Sequence, residues 1–386
     1  MARSTPSPAR RLGRDLVDAL YPRGSAADEV SARFESRATY AAALSFAGAA
    51  LLGLLLYARG TVPLWGTFSV GTGASLLGAI AGAGAGIAGY IASGRTAAGA
   101  WRAQLRPLQR IADTVAITFL HVTILIMAML AVFFSLQQAF RDLRVDAFTA
   151  VMITGIVAAI AAYTMYLSAA NLNAQRLSGL LAVFVLVGVM VSMVTAQDPD
   201  WWQLHFSELG AGEGFSGVSF NVTLIIAGLV LATLGLYITA DLRAWERRIP
   251  PSTTRNIGLV QLGFVTIGVA LMGVGLVPVN ANLILHNIFA TGMALVFVGL
   301  LIGLRWVLDG LPRALFVFSD TLIVGIALAA VLWWPVGYYN LTAFELIAAG
   351  LIFVWIIVFI RNIGALSPQE ERANAPAPAT DTAASA

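Results

Sequence analysis

The chain contains no cysteine and no lysine, only three histidines, and charged residues amount to 11% of its length. Without cysteine there is no disulfide, no thiolate ligand for zinc and no thiol nucleophile. Without lysine there is no Schiff base to retinal or pyridoxal, and all 23 basic residues are arginine. A soluble domain carries about a quarter charged residues, so the shortage of charge argues against water as the main solvent. No P-loop, dinucleotide fingerprint, G-x-S-x-G elbow, H-E-x-x-H or DNA-binding pattern occurs, which leaves no cofactor motif and no sign of a nucleic-acid partner. Lys-free usage rich in Ala, Gly and Arg suggests a GC-rich bacterial genome.

What the chain has instead is apolar runs. It is 59% hydrophobic, with a mean hydropathy of +0.82. Runs of about twenty apolar residues recur about ten times, each long enough to cross the roughly 30 Å hydrocarbon core as a helix. In hydrocarbon a spanning segment must satisfy its own backbone hydrogen bonds, which selects helices. The expected fold is all-α, a polytopic transmembrane helical bundle. Its spans fall at about 39–57, 67–92, 112–134, 148–169, 178–195, 219–240, 257–276, 286–306, 314–334 and 343–361. No cleavable signal peptide is evident, because a polar Arg-rich stretch precedes the first run.

Arginine placement sets the expected orientation. With ten alternating spans, 20 of the 23 Arg fall on one side, and only Arg59, Arg141 and Arg144 fall on the other. The positive-inside rule then puts both termini in the cytoplasm and the protein in the cell membrane. The pI near 9.4 reflects this loop arginine and not a nucleic-acid surface. Trp65, Trp201, Trp202, Trp333 and Trp334 fall at the outer boundary, and Trp101, Trp245 and Trp306 near the inner one, as interfacial aromatics do.

Four regions follow. Residues 1–38 form a cytoplasmic Arg-rich tail, in which Leu12, Leu16 and Leu20 share a face that could lie on anionic lipid as an interfacial helix. Residues 39–169 form a four-helix membrane region, and 178–361 a six-helix membrane domain. Residues 367–386 are rich in Pro, Ala and Thr and are expected to be disordered. Within the second span, Gly78, Gly82 and Gly86 repeat every four residues. Such a small-residue face admits close helix approach, either within the chain or to a second copy or membrane partner.

Three groups of polar residues stand out. The first lies at the outer face. His205, Ser207 and Glu208 sit in the loop after the fifth span, Asn221 opens the sixth, and Asn280, Asn282, His286 and Asn287 surround the connection between the seventh and eighth. These residues could form a pocket for a lipid headgroup or small polar ligand. His205, Glu208 and His286 could ligate a metal, with His205 and Glu208 three apart. The same residues could equally cap helices and brace loops. The second group is intramembrane: His121 in the third span, with Thr114 and Thr118 on its face, and Asp320 in the ninth. Ionisable groups at such depth are functional candidates, here for a proton or ion relay, or else a buried polar pair. The third group, Asp113, Asp241, Asp309 and Glu345, lies at helix ends and reads as caps and ion pairs with loop arginines; Arg247 and Arg248 could touch anionic lipid.

Ser207-Glu208-Leu209-Gly210, Phe220-Asn221 followed by Ile225-Ile226-Ala227-Gly228, and Gly273 through Pro278 leading to Leu285-His286-Asn287 resemble a prokaryotic six-helix membrane family known as domain of unknown function 998. That family looks distantly similar to the Frag/DRAM/Sfk membrane proteins, which are connected with lipid organisation and trafficking. The resemblance covers about residues 178–361. It implies a six-helix fold and an interesting outer face, and no catalytic residues. The expected function is thus a non-enzymatic membrane protein binding lipid or a small polar ligand at its outer face, as sensor, scaffold or accessory subunit. The alternatives are a proton-coupled transporter using His121 and Asp320, and a metal-dependent lipid hydrolase using His205, Glu208 and His286.

Overall fold

A computed structural model describes residues 26–58, 60–212, 214–247, 256–308 and 310–366. The Leu12/Leu16/Leu20 face, Arg59, Glu213, Arg248, Asp309 and the 367–386 tail lie outside the described residues. Among the described residues eleven α-helices follow one another: α1 Ala26–Leu56, α2 Val70–Gly94, α3 Pro107–Ala139, α4 Ala147–Ala170, α5 Ala174–Thr195, the short α6 Glu208–Ala211, α7 Phe215–Glu246, α8 Ile257–Leu276, α9 Leu283–Val307, α10 Arg313–Trp333 and α11 Leu341–Ala365. All but α6 are long and apolar enough to cross a membrane, which makes ten candidate spans. Their alternation defines two ends of the bundle: the α6 face, and the opposite, arginine face.

Several helices outrun the apolar runs that announced them. The first begins at Ala26, not near residue 39, because AADEVSARFESRA is polar yet helix-competent. Asp28 and Glu29 sit in its first turn, where the helix dipole favours acids, and Glu29 pairs with Arg33 one turn on at 3.4 Å. Tyr163 Oη donates to Glu35 at 2.7 Å and ties this extension to α4. Likewise α7 runs from Phe215 to Glu246. Hydropathy reports only the part of a helix facing lipid, so it underestimates helices that project beyond it.

The first four helices pack through small residues. α4 lies against both α1 and α2, and the α1–α2 contact is much slighter. The glycine stripe of α2 faces α4: a Cβ at Gly78 would meet Val157 at 3.1 Å, and one at Gly82 would strike Met165. At Gly89 it would strike the Tyr166 backbone carbonyl. The stripe is therefore filled by the same chain. On the α6 face, two-residue strands β1 Val62–Pro63 and β2 Arg144–Val145 pair antiparallel and tie the α1–α2 connection to the α3–α4 connection.

Among the remaining long helices, α7 packs on α8 and α5 and more slightly on α11, while α9 packs on α8 and α10 packs on α9 and α11. The interior between α8, α9, α10 and α11 is filled by aromatic rings: Phe264 stacks on Phe359 at 6.0 Å, and Phe297 meets Trp355 edge-on at 5.5 Å. Trp355 Nε1 donates to Ser319 Oγ at 2.9 Å, so the indole N–H is satisfied within hydrocarbon. α3 contacts α7 and α5 and joins the two sets of helices.

Candidate functional site

On the α6 face the chain leaves α5 at Thr195, forms a single 3-10 turn at Trp201–Gln203, and then makes the one-turn α6 before entering α7. These turns enclose a pocket of about 210 Å³. Its polar lining comes from Gln197, Asp198, Trp201, Glu208 and Ser216. Asp198 and Glu208 give it two carboxylates and Trp201 an aromatic wall, with no cationic side chain among the lining residues. Glu208 lies 3.6 Å from His205 Nε2 and is about 30% exposed, so it faces both the imidazole and the pocket. His205 Nδ1 is buried and has no hydrogen-bond partner.

Most of the other predicted outer-face residues brace the loops. Asn221 Nδ2 donates to the Gly210 carbonyl at 2.9 Å, and Asn280 Nδ2 donates to that of Ala211 at 3.2 Å. Both amides hold α6 down. Asn282 caps α9 by accepting from Leu285 N at 3.0 Å. His286 is buried and its Nδ1 donates to the Val277 carbonyl at 2.7 Å, closing the α8–α9 turn. Ser207 precedes α6 and makes no capping bond with its side chain. Asn287 is exposed near the start of α9. Of the eight candidates only Glu208 lines the pocket. Among the described residues no three of His, Asp and Glu come together as a metal-binding group, so His286 does not join His205 and Glu208.

Glu345, read as a helix-end residue, and Asn340, which the sequence reading did not single out, complete the cap. Glu345 instead accepts from Phe206 N at 2.5 Å and pins the loop before α6 to α11. Asn340 caps α11 by accepting from Ala343 N, and donates to the Trp202 carbonyl at 2.6 Å. Beneath them Leu209, Phe220, Leu224 and Val274 form a small apolar core. Glycines are needed around it: a Cβ at Gly275 would lie 2.7 Å from the Asn221 carbonyl, and one at Gly210 would sit 2.9 Å from the Phe220 ring.

The intramembrane candidates are not brought together by any hydrogen bond or ion pair among the described residues. His121 is buried; its Nδ1 donates to the Ile117 carbonyl at 2.7 Å. Its Nε2 can then accept from Ser168 Oγ at 2.8 Å, which satisfies a neutral ring and links α3 to α4. Asp320 pairs with Arg305 across the α9–α10 hairpin, and its side chain is 51% exposed on the outside of the bundle. Each group therefore has its own local partner.

The most buried polar cluster went unread in the sequence. Asp113 was expected at a helix end as a cap, but it lies two turns into α3 at 0% exposure and accepts a short hydrogen bond from Tyr90 Oη. Arg102, 4% exposed, places its guanidinium 4.4 Å from the centre of the Tyr90 ring and 5.3 Å from that of Tyr237. It also donates to the Leu172 carbonyl at 3.4 Å, in the α4–α5 connection. One residue thereby clamps the α2–α3 loop, the α4–α5 link and α7. Trp101-Arg102 was the available signal, but its partners Tyr90, Leu172 and Tyr237 come from separate segments.

No family model, no curated protein and no solved structure matches the chain.

Proposed function

We propose that the chain is a multi-pass plasma-membrane protein with cytoplasmic termini, whose α6 face is external and whose acidic cup binds an ammonium-bearing lipid headgroup or small polar molecule. It acts as a sensor, scaffold or accessory subunit and not as an enzyme. The observation that carries this reading is the pairing of Asp198 and Glu208 with Trp201 in one pocket of about 210 Å³. Carboxylates supply the counter-charge for an ammonium, and an indole face attracts a cation by about 0.5–2 kcal/mol depending on desolvation. The loop carbonyls are already taken up by Asn221, Asn280 and Asn340, so the cup is held in shape before a ligand arrives. The arginine bias read from the sequence supports the orientation. The resemblance to domain of unknown function 998, and through it to lipid-connected membrane proteins, points the same way.

Native mass spectrometry of the full chain released from mild detergent tests this. The probes are phosphatidylethanolamine, phosphatidylglycerol and free ethanolamine. The reading expects retention of an ethanolamine-bearing adduct that is lost in Asp198→Asn/Glu208→Gln. An adduct indifferent to that double variant overturns it.

A further inference from the structure

At the arginine face, α1 and α2 splay apart where each leans on α4. The gap is a groove of about 480 Å³. Its walls include Tyr40, Leu44 and Ile91, which are 69%, 74% and 50% exposed. At its mouth stand Arg37 on α1 and Arg95 at the C-cap of α2. Both arginines are exposed, and neither side chain makes a hydrogen bond or ion pair among the described residues. At its floor Tyr166 is only 4% exposed, and its hydroxyl is buried without a partner.

The geometry points to a binding site for one anionic phospholipid in this groove, with its phosphate between Arg37 and Arg95 and one acyl chain along Leu44 and Ile91. Three features select a lipid over a soluble anion. The groove opens sideways between two membrane-crossing helices, its walls are apolar, and its two cations sit where those helices leave the apolar layer. Arginine suits phosphate because its planar fork can donate two parallel hydrogen bonds. This site is independent of the acidic cup, from which it is separated by the length of the spans.

The test titrates full-length, delipidated protein in detergent with dioleoyl-phosphatidylglycerol and follows bound lipid by native mass spectrometry. The wild type binds one equivalent more tightly than the rest. Arg37→Gln/Arg95→Gln weakens that first equivalent at least about tenfold, since each interfacial arginine contributes about a factor of five for anionic lipid. Leu44→Trp fills the groove and weakens it without touching charge. Arg110→Gln/Arg243→Gln, which removes two other exposed arginines of this face, leaves the first equivalent within twofold. Equal loss in that control pair, no loss in the Arg37/Arg95 pair, or displacement of the lipid by millimolar inorganic phosphate overturns the site. A dioleoyl-phosphatidylcholine titration that matches phosphatidylglycerol does the same.

Discussion

At the α6 face the polar side chains are turned toward backbone. Asn221, Asn280 and Asn340 donate to loop carbonyls, Glu345 accepts from Phe206 N, and Asp198, which also accepts from Asp200 N, lines a pocket with Glu208. At the arginine face one guanidinium, Arg102, is sunk among aromatic rings, while Arg37 and Arg95 stand at the mouth of an apolar groove. The first arrangement fixes a shape with neutral hydrogen bonds and leaves negative charge for a ligand. The second fixes the junction between helices with a buried cation and leaves positive charge for a different ligand. On the proposed reading the two ends of one bundle hold opposite charges.

That division can be broken most severely at Arg102. Arg102→Ala removes the clamp, its cation–π contacts with Tyr90 and Tyr237 and its hydrogen bond to the Leu172 carbonyl, which should cost about 3 kcal/mol. The unfolding midpoint in a detergent titration reads this, and Arg95→Ala, on the same face but exposed, should stay within about 0.5 kcal/mol. Equal effects would erase the distinction between clamping and ligand-facing arginines.

A smaller effect is expected in the α2–α4 seam. A methyl at Gly89 would strike the Tyr166 carbonyl, whereas one at Gly84 would meet nothing within 4 Å. Gly89→Ala should therefore destabilise by about 1–3 kcal/mol through overpacking, and Gly84→Ala should be neutral or slightly stabilising because alanine favours helix. Thermal unfolding of the two variants side by side gives the sign directly. Smaller again is Asn221→Ala, expected to cost about 1 kcal/mol for one hydrogen bond to a loop carbonyl. It should also loosen α6, seen as faster amide exchange at residues 209–212, without altering the arginine-face groove.

The smallest effect is a pH response at the N-terminus of α4. Asp146 accepts from Thr149 Oγ1 at 2.6 Å and from the backbone N–H groups of Phe148 and Thr149. The Thr149 hydroxyl bond, with the backbone donors behind it, holds this carboxyl below its ordinary range. Its folded value lies below the unfolded one, so its stabilisation is present above the unfolded value and is lost as pH falls through the folded one. Asp146→Asn should flatten that acid limb and leave stability at neutral pH nearly unchanged, measured as unfolding midpoint against pH.

The spans were legible because hydropathy and arginine bias are local, additive properties of a segment. Glu208 was legible as a candidate because polar residues are rare in this chain and topology puts them at one depth. The partners were not. Arg102, Tyr90, Asp113 and Tyr237 lie in four segments, and only folding sets the guanidinium over two rings. His286 and Asn280 carry the residue types of a binding site, yet their hydrogen bonds go to Val277 and Ala211. Composition cannot tell a side chain that binds a ligand from one that binds its own backbone. Asp320 is the intermediate case, since its partner Arg305 lies just across a short hairpin and could have been paired from depth alone.

The most direct test of opposite charge preference at the two ends is a crossed comparison by native mass spectrometry. Wild type, Asp198→Asn/Glu208→Gln and Arg37→Gln/Arg95→Gln are each titrated with phosphatidylethanolamine and with phosphatidylglycerol. The account predicts that the acidic-cup variant loses the ethanolamine lipid and keeps the first equivalent of phosphatidylglycerol, and that the arginine variant does the reverse. Loss of both lipids in either variant, or of neither in both, would contradict it.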